Sequence, residues 1–209
     1  MKYSCVIWDW NGTLADDVAA SLQAVNDSLK TRNMAPIDLE TYHSYIDTPI
    51  IRFYERLFDL NQVPMETLSR EFHAGYEAYF TGLQKGAEGL LKMLRDQKVL
   101  QVLLSSSNQQ VILRDTEKLG AAGYFDAILG AEDYTAGSKV QRGIEFISRQ
   151  PFSPEAAVMI GDSLHDFETA RAMKTDCILF SGGHQAKKDL LTAGVPVVDD
   201  FEALKMLLL

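Results

Sequence analysis

At 209 residues, with 46% hydrophobic and 10% aromatic side chains, the chain has the composition of a globular protein, not a disordered one, and suits one sizeable domain or a core with a modest insertion. Its formal charge of −9 argues against nucleic acid as a partner, because phosphate backbones are held by basic surfaces. An anionic ligand must therefore be drawn by a local positive site and not by the global field. No apolar run is long enough to span a bilayer, so no membrane partner is expected. The Met1-Lys2-Tyr3 start also lacks a signal peptide's apolar core. Cys5 and Cys177 both lie in apolar runs and are expected as buried free thiols in a cytoplasmic protein.

The first element is the apolar run Val6-Ile7-Trp8, which stops at Asp9 and meets the turn signal Asn11-Gly12-Thr13. Such a run reads as a buried strand. Side chains at the carboxyl end of such a strand in an α/β sheet project into the ligand crevice, which places Asp9 for chemistry. The plain alternative is an Asx-turn or a helix cap.

Residues 16–83 hold no clear strand. Amphipathic patterns predict helices over 17–31, 39–45, 49–60 and 66–81, punctuated by Pro36, Pro49 and Pro64. Strand-like runs follow at 99–105, 127–130, 156–162, 177–180 and 196–198. Helical patterns over 87–97, 109–119, 141–149 and 186–193 separate them. This alternation predicts an α/β fold: a doubly wound, Rossmann-like parallel sheet of five or six strands with right-handed crossovers. The expected domains are a core of residues 1–15 and 84–209 and a small all-helical insertion of residues 16–83.

A second acidic cluster, Gly161-Asp162-Ser163-Leu164-His165-Asp166, ends the apolar run Val158-Met159-Ile160. Asp162 falls in a strand-to-helix turn and Asp166 in the first helical turn, where capping is the alternative role. If the two strands are neighbours, Asp9 and Asp162 meet. Carboxylates that close repel unless a cation lies between them or one takes a proton. An oxygen-only set in a wet site suits Mg²⁺.

On these residues the chain resembles the haloacid dehalogenase-like hydrolases. Asp9 to Leu14 is similar to their first motif, Asp-x-Asp-Gly-Thr-Leu, and Gly161 to Asp166 to their fourth, Gly-Asp-x-x-x-Asp. Ser105, ending Val102-Leu103-Leu104, matches the second, and Lys139 the third. The order is the family's, and within it the best match is the phosphoglycolate phosphatase-like subgroup, with a helical cap straight after the first motif.

The resemblance implies a phosphatase in which Asp9 is the nucleophile and Mg²⁺ is held by Asp9, Asp162 and the backbone carbonyl of Asn11. Asp166 would orient the site's other partners from behind those ligands. Ser105 and the N–H of Ser106 would bind phosphate together with Lys139, while Ser107 or Asn108 caps the following helix. Lys139 follows Gly137-Ser138, a helix start where a cation opposes the dipole, so an anion beside it is expected. Val140 stands where the family often has proline.

Asn11 is the larger departure. The family's phosphatases have an aspartate there that protonates the leaving oxygen, and an amide has no titratable proton. General acid–base help is typically worth ~10²–10⁴-fold. Three readings follow. One is a phosphatase that favours good leaving groups or borrows an acid such as His165. Another is a phosphonatase-like C–P hydrolase using a cap lysine, for which Lys30 is available. The third is a non-catalytic phosphate-ligand or regulatory protein. A small phosphorylated metabolite is the expected partner, and a monomer or weak homodimer the expected assembly. Arg52, with His43 and Tyr45 just upstream, is the candidate substrate contact, since Arg suits anion recognition. His184, in Ser181-Gly182-Gly183-His184, reads as part of a turn into the final helices.

Overall fold

The computed structural model describes residues 1–80, 82–131 and 139–209. Its strands are β1 (Cys5–Trp8), β2 (Leu100–Asn108), β3 (Ala127–Ala131), β4 (Ala157–Gly161), β5 (Asp176–Phe180) and β6 (Val197–Val198). All pair in parallel in one sheet of order β3-β2-β1-β4-β5-β6. Trp8 stands between Leu103 of β2 and Ile160 of β4. The strand order thus reverses at β1, and ligands of such sheets bind beyond the carboxyl ends at that point.

Both faces of the sheet are covered. Val6 and Trp8 pack into one apolar cluster with Leu103 and Ile160, while Cys5 and Ile7 pack into another with Leu104, Met159 and Leu179. Burial on two faces explains why these strands read as unbroken apolar runs and not as alternating patterns.

Among the described residues five helices lie between β1 and β2, the first four being α1 (Val18–Lys30), α2 (Leu39–Tyr45), α3 (Ile51–Leu57) and α4 (Met65–Tyr79). These four share an apolar cluster of their own that includes Val25, Leu29, Phe53 and Leu68. Ala20 of α1 and Tyr76 of α4 belong instead to the sheet-side cluster, so these two helices join the block to the sheet. The chain continues through α5 (Ala87–Asp96), α6 (Gln109–Lys118), α7 (Lys139–Ser148), α8 (Leu164–Met173), α9 (Lys187–Leu190) and α10 (Phe201–Leu208).

Departures from the expected segments have local causes. α3 ends at Leu57, not at residue 60, because Phe58 is extended (φ −134°) and the Asp59 carboxylate then accepts from the Asn61 N–H in a turn. β2 runs three residues past Ser105. The expected helix over 186–193 splits into α9 and a 3₁₀ turn, Leu191–Ala193, closed by Gly194 at φ +70°. α10 adds to the expected set: Phe201, Leu204 and Leu208 are buried at helical spacing behind an Asp200 cap. α7 is assigned from Lys139; Gly137 and Ser138, read as its start, lie outside the described residues, as does Thr81. No helix among the described residues is long and apolar enough to cross a membrane.

Candidate active site

The backbone N–H of Asp9 bonds the carbonyl of Ile160 at 2.8 Å, which sets Asp9 beside the end of β4 and hence beside Asp162. Carboxylate oxygens of Asp9, Asp162 and Asp166, all buried, lie within 4.8 Å of one another. Lys139, also buried, donates from its ammonium to Oδ1 of both Asp9 and Asp166. Three carboxylates thus face one ammonium, an excess of negative charge that calls for a cation or for protons.

Asp166 serves two purposes, one with each oxygen. Its Oδ2 accepts from the N–H groups of Asp162 (3.1 Å) and Ser163 (3.0 Å) and from the Ser163 hydroxyl. The Ser163 hydroxyl in turn accepts from the Asp166 N–H, a capping box that starts α8. Its Oδ1 holds Lys139. The capping role weighed from sequence is therefore present together with the role in the cluster. A Cβ on Gly161 would fall 2.1 Å from the Asp166 carboxyl carbon, so this approach requires glycine.

The Asp162 carboxylate is fixed from two sides, accepting from the Thr13 hydroxyl (3.2 Å) and from the backbone N–H of His184 (2.6 Å). Gly12, at φ +72°, lets the chain turn there, and a Cβ on it would sit 2.2 Å from Asp162 Oδ2. Among the described residues the Asp9 side chain takes a hydrogen bond from Lys139 alone, leaving Oδ2 without a donor.

These placements set the charges. Burial pushes Asp9 up to about 8, with Asp166 and Asp162 adding to it and Lys139 opposing. Burial likewise raises Asp162 to about 6, against the pull of His184. Burial lowers Lys139, but Asp166 and Asp9 outweigh it and hold the ammonium above its usual range.

On the other wall, the buried Ser105 hydroxyl accepts from the Ser107 N–H at 3.1 Å, while Ser106 is exposed. Asn108 caps α6, accepting from the Gln110 N–H. Ser107 is therefore free of the capping role, and its hydroxyl donates to Asn11 Oδ1 at 2.7 Å.

Asn11 leads to residues that the sequence did not single out. Its amide donates to Asp17 Oδ2 at 2.7 Å and to the Tyr76 hydroxyl at 3.2 Å. Asp17 is fully buried and pairs with Nε2 of His184 at 3.1 Å. Burial pulls the His184 ring down, but Asp17 outweighs it and raises the ring to about 9. Tyr42 of α2 meets the other ring nitrogen at 2.9 Å. His184 is thus more than part of a turn: it sits against the acidic cluster, though by its backbone and not as a metal ligand.

The remaining candidates are placed as follows. Burial holds the half-buried His43 ring below its usual value, against the pull of the Gly183 backbone beside it. Tyr45 packs against the apolar cluster of the helical block. Arg52 is exposed, 3.8 Å from Asp47, and donates to the Thr48 carbonyl. His165 lies beside Glu168, at 3.8 Å. Lys30 is exposed in the last turn of the 13-residue α1, about 20 Å along the helix axis from its Asp17 end.

A family model for haloacid dehalogenase-like hydrolases matches residues 6–180. The chain belongs to this family of hydrolases. It is 24% identical over 207 residues to a phosphoglycolate phosphatase of Agrobacterium fabrum, covering 95% of this chain and 89% of that protein. It is 26% identical over 183 residues to the tyrosine-protein kinase PtkA of Mycobacterium tuberculosis, covering 86% of this chain and 62% of that one. The fold is shared with a haloacid dehalogenase-like hydrolase from Streptococcus pneumoniae, at TM-score 0.83 and 19% identity, covering 99% of each chain. Because relatives at this distance carry different activities in their names, the reaction has to be argued from the site.

Proposed function

We propose that the chain is a cytoplasmic, Mg²⁺-dependent phosphatase that hydrolyses a small-molecule phosphate monoester or acyl phosphate through an aspartyl-phosphate on Asp9. One observation carries this reading: a buried carboxylate at the switch point of the sheet, with one oxygen held by Lys139 and the other without a donor among the described residues. The carboxylates of Asp9 and Asp162 fit a hard divalent cation by their oxygen-only chemistry, and by the family resemblance the Asn11 backbone carbonyl would be a further ligand. When bound, the cation would neutralise charge on the transferring group.

The chain's own residues do the rest. Asp9 Oδ2 attacks phosphorus, forming the aspartyl O–P bond as the bridging oxygen leaves with the electron pair. Lys139 holds Asp9 and offsets the negative charge of the group being transferred. Ser105 and the N–H of Ser106 bind phosphoryl oxygens. Water then attacks phosphorus, Asp9 leaves as a carboxylate, and the phosphate product carries off both of the water's protons. Residues 16–83 act as a cap closing over the crevice. An acyl phosphate releases a carboxylate, which needs no proton, so Asn11 hinders that substrate least.

Turnover of acetyl phosphate and of glycerol phosphate, with and without Mg²⁺, tests the reading. We expect hydrolysis of the acyl phosphate that requires Mg²⁺ and vanishes in Asp9→Asn. Wild type that binds phosphate but turns over neither compound would favour the non-catalytic binding reading.

A further inference from the structure

Asp17 occupies the N-cap position of α1, yet its side chain makes no capping bond. An aspartate there commonly caps the helix. This one turns back toward the first-motif turn and is buried completely. It accepts from four donors: the Asn11 amide at 2.7 Å, the Gly12 N–H at 2.7 Å, the Tyr76 hydroxyl at 2.9 Å and His184 Nε2 at 3.1 Å. Four donors on a buried carboxyl are the surroundings of an ionised group.

The orientation of Asn11 follows from this. Its oxygen faces the Ser107 hydroxyl, which donates to it, and its NH₂ faces Asp17 and Tyr76. A carboxylate in the same place would bring one of its oxygens against Asp17 with no proton between them, and like charges in a buried site repel strongly.

We propose that Asp17 is a positioning residue that locks the amide of Asn11 and excludes a second carboxylate from position 11, so that the chain favours substrates whose leaving group departs without a proton. The carboxylate stands at 17, within the protein, and the amide at 11, beside the reacting group. The consequence for substrate choice rests on the phosphatase reading; the geometry of the pair does not.

A double-mutant cycle of Asn11→Asp and Asp17→Asn tests this by two independent readouts. In metal-free buffer, Asn11→Asp is expected to lower Tm by several degrees. Adding Asp17→Asn should recover about half of that loss or more, the non-additivity expected of groups in contact. In kinetics with Mg²⁺, the double variant should hydrolyse glycerol phosphate with kcat raised roughly tenfold or more over wild type, at little changed KM. A purely structural role for Asp17 would move Tm and leave kcat on glycerol phosphate the same in Asn11→Asp with and without Asp17→Asn.

Asn11→Asp with wild-type Tm would overturn the proposal. So would a double variant no more stable than the single one. Should Asn11→Asp fail to fold, rescue of folding by Asp17→Asn supports the pair and lack of rescue overturns it. A stability cycle as expected without any gain in kcat on the alkyl ester, where wild type hydrolyses acetyl phosphate, removes the claim about substrates. If no variant turns over either compound, the phosphatase reading fails while the Tm values still decide the fate of the pair.

Discussion

The Tyr42 hydroxyl on α2 meets Nδ1 of His184 at 2.9 Å, on the same residue whose backbone N–H holds Asp162 at 2.6 Å. A helix of the inserted block thereby touches the loop that fixes one wall of the acidic cluster. Tyr42→Phe removes this hydrogen bond and keeps the ring, which packs edge-on against Phe53. One such bond is worth about 1 kcal/mol, so a rise in KM of up to about fivefold is expected, with a smaller effect on kcat. Steady-state kinetics check this, and an unchanged KM would separate the contact from substrate capture.

Lys139 is the only ammonium found between Asp9 and Asp166 among the described residues. Lys139→Met leaves both carboxylates buried without a cation. Removing one partner of a buried ion pair typically costs about 3–5 kcal/mol. Thermal denaturation in metal-free buffer should show that loss, and Mg²⁺ should recover more stability in the variant than in wild type. A variant with wild-type Tm would mean that the carboxylates are neutral in the folded chain.

The pairing of His184 with Asp17 gives stability a pH dependence. The folded ring titrates at about 9, above its ordinary 6.5. Its contribution is therefore fully present below the ordinary value and is lost as pH rises through about 9. Tm of the metal-free protein should fall from neutral to alkaline pH, and His184→Gln should flatten that fall. An alkaline fall of equal size in the variant would assign it to another group.

Much of the site was legible because its residues stand next to strong local signals. Asp9 and Asp162 each follow an apolar run, and Asp166 sits one helical turn beyond Asp162. Asp17 and His184 were not legible, since their meaning lies in a contact 167 residues apart. Asp17 reads locally as a helix start, which it also is. The available signal for His184 was its place after β5, at the same sheet edge as Asp9 and Asp162, with Gly182-Gly183 allowing close approach. Arg52, read from a helix start as a candidate anion contact, is exposed, with Asp47 at 3.8 Å and the Thr48 carbonyl accepting from its guanidinium. The fold was clearer still. Short or bent pieces such as α9 and the end of α3 departed from the periodic pattern, because single residues such as Phe58 and Gly194 set their limits, while α10 and the last three residues of β2 were not read.

The central claim is covalent chemistry at Asp9, and the most direct measurement is to trap it. The protein would be incubated with acetyl phosphate and Mg²⁺, quenched in acid within the first turnovers, digested and analysed by mass spectrometry. The account predicts an acid-stable, base-labile phosphoryl group on the peptide carrying Asp9, absent without Mg²⁺ and absent in Asp9→Asn. Steady hydrolysis with no phosphorylated peptide, or with the phosphoryl group on another residue, would contradict it.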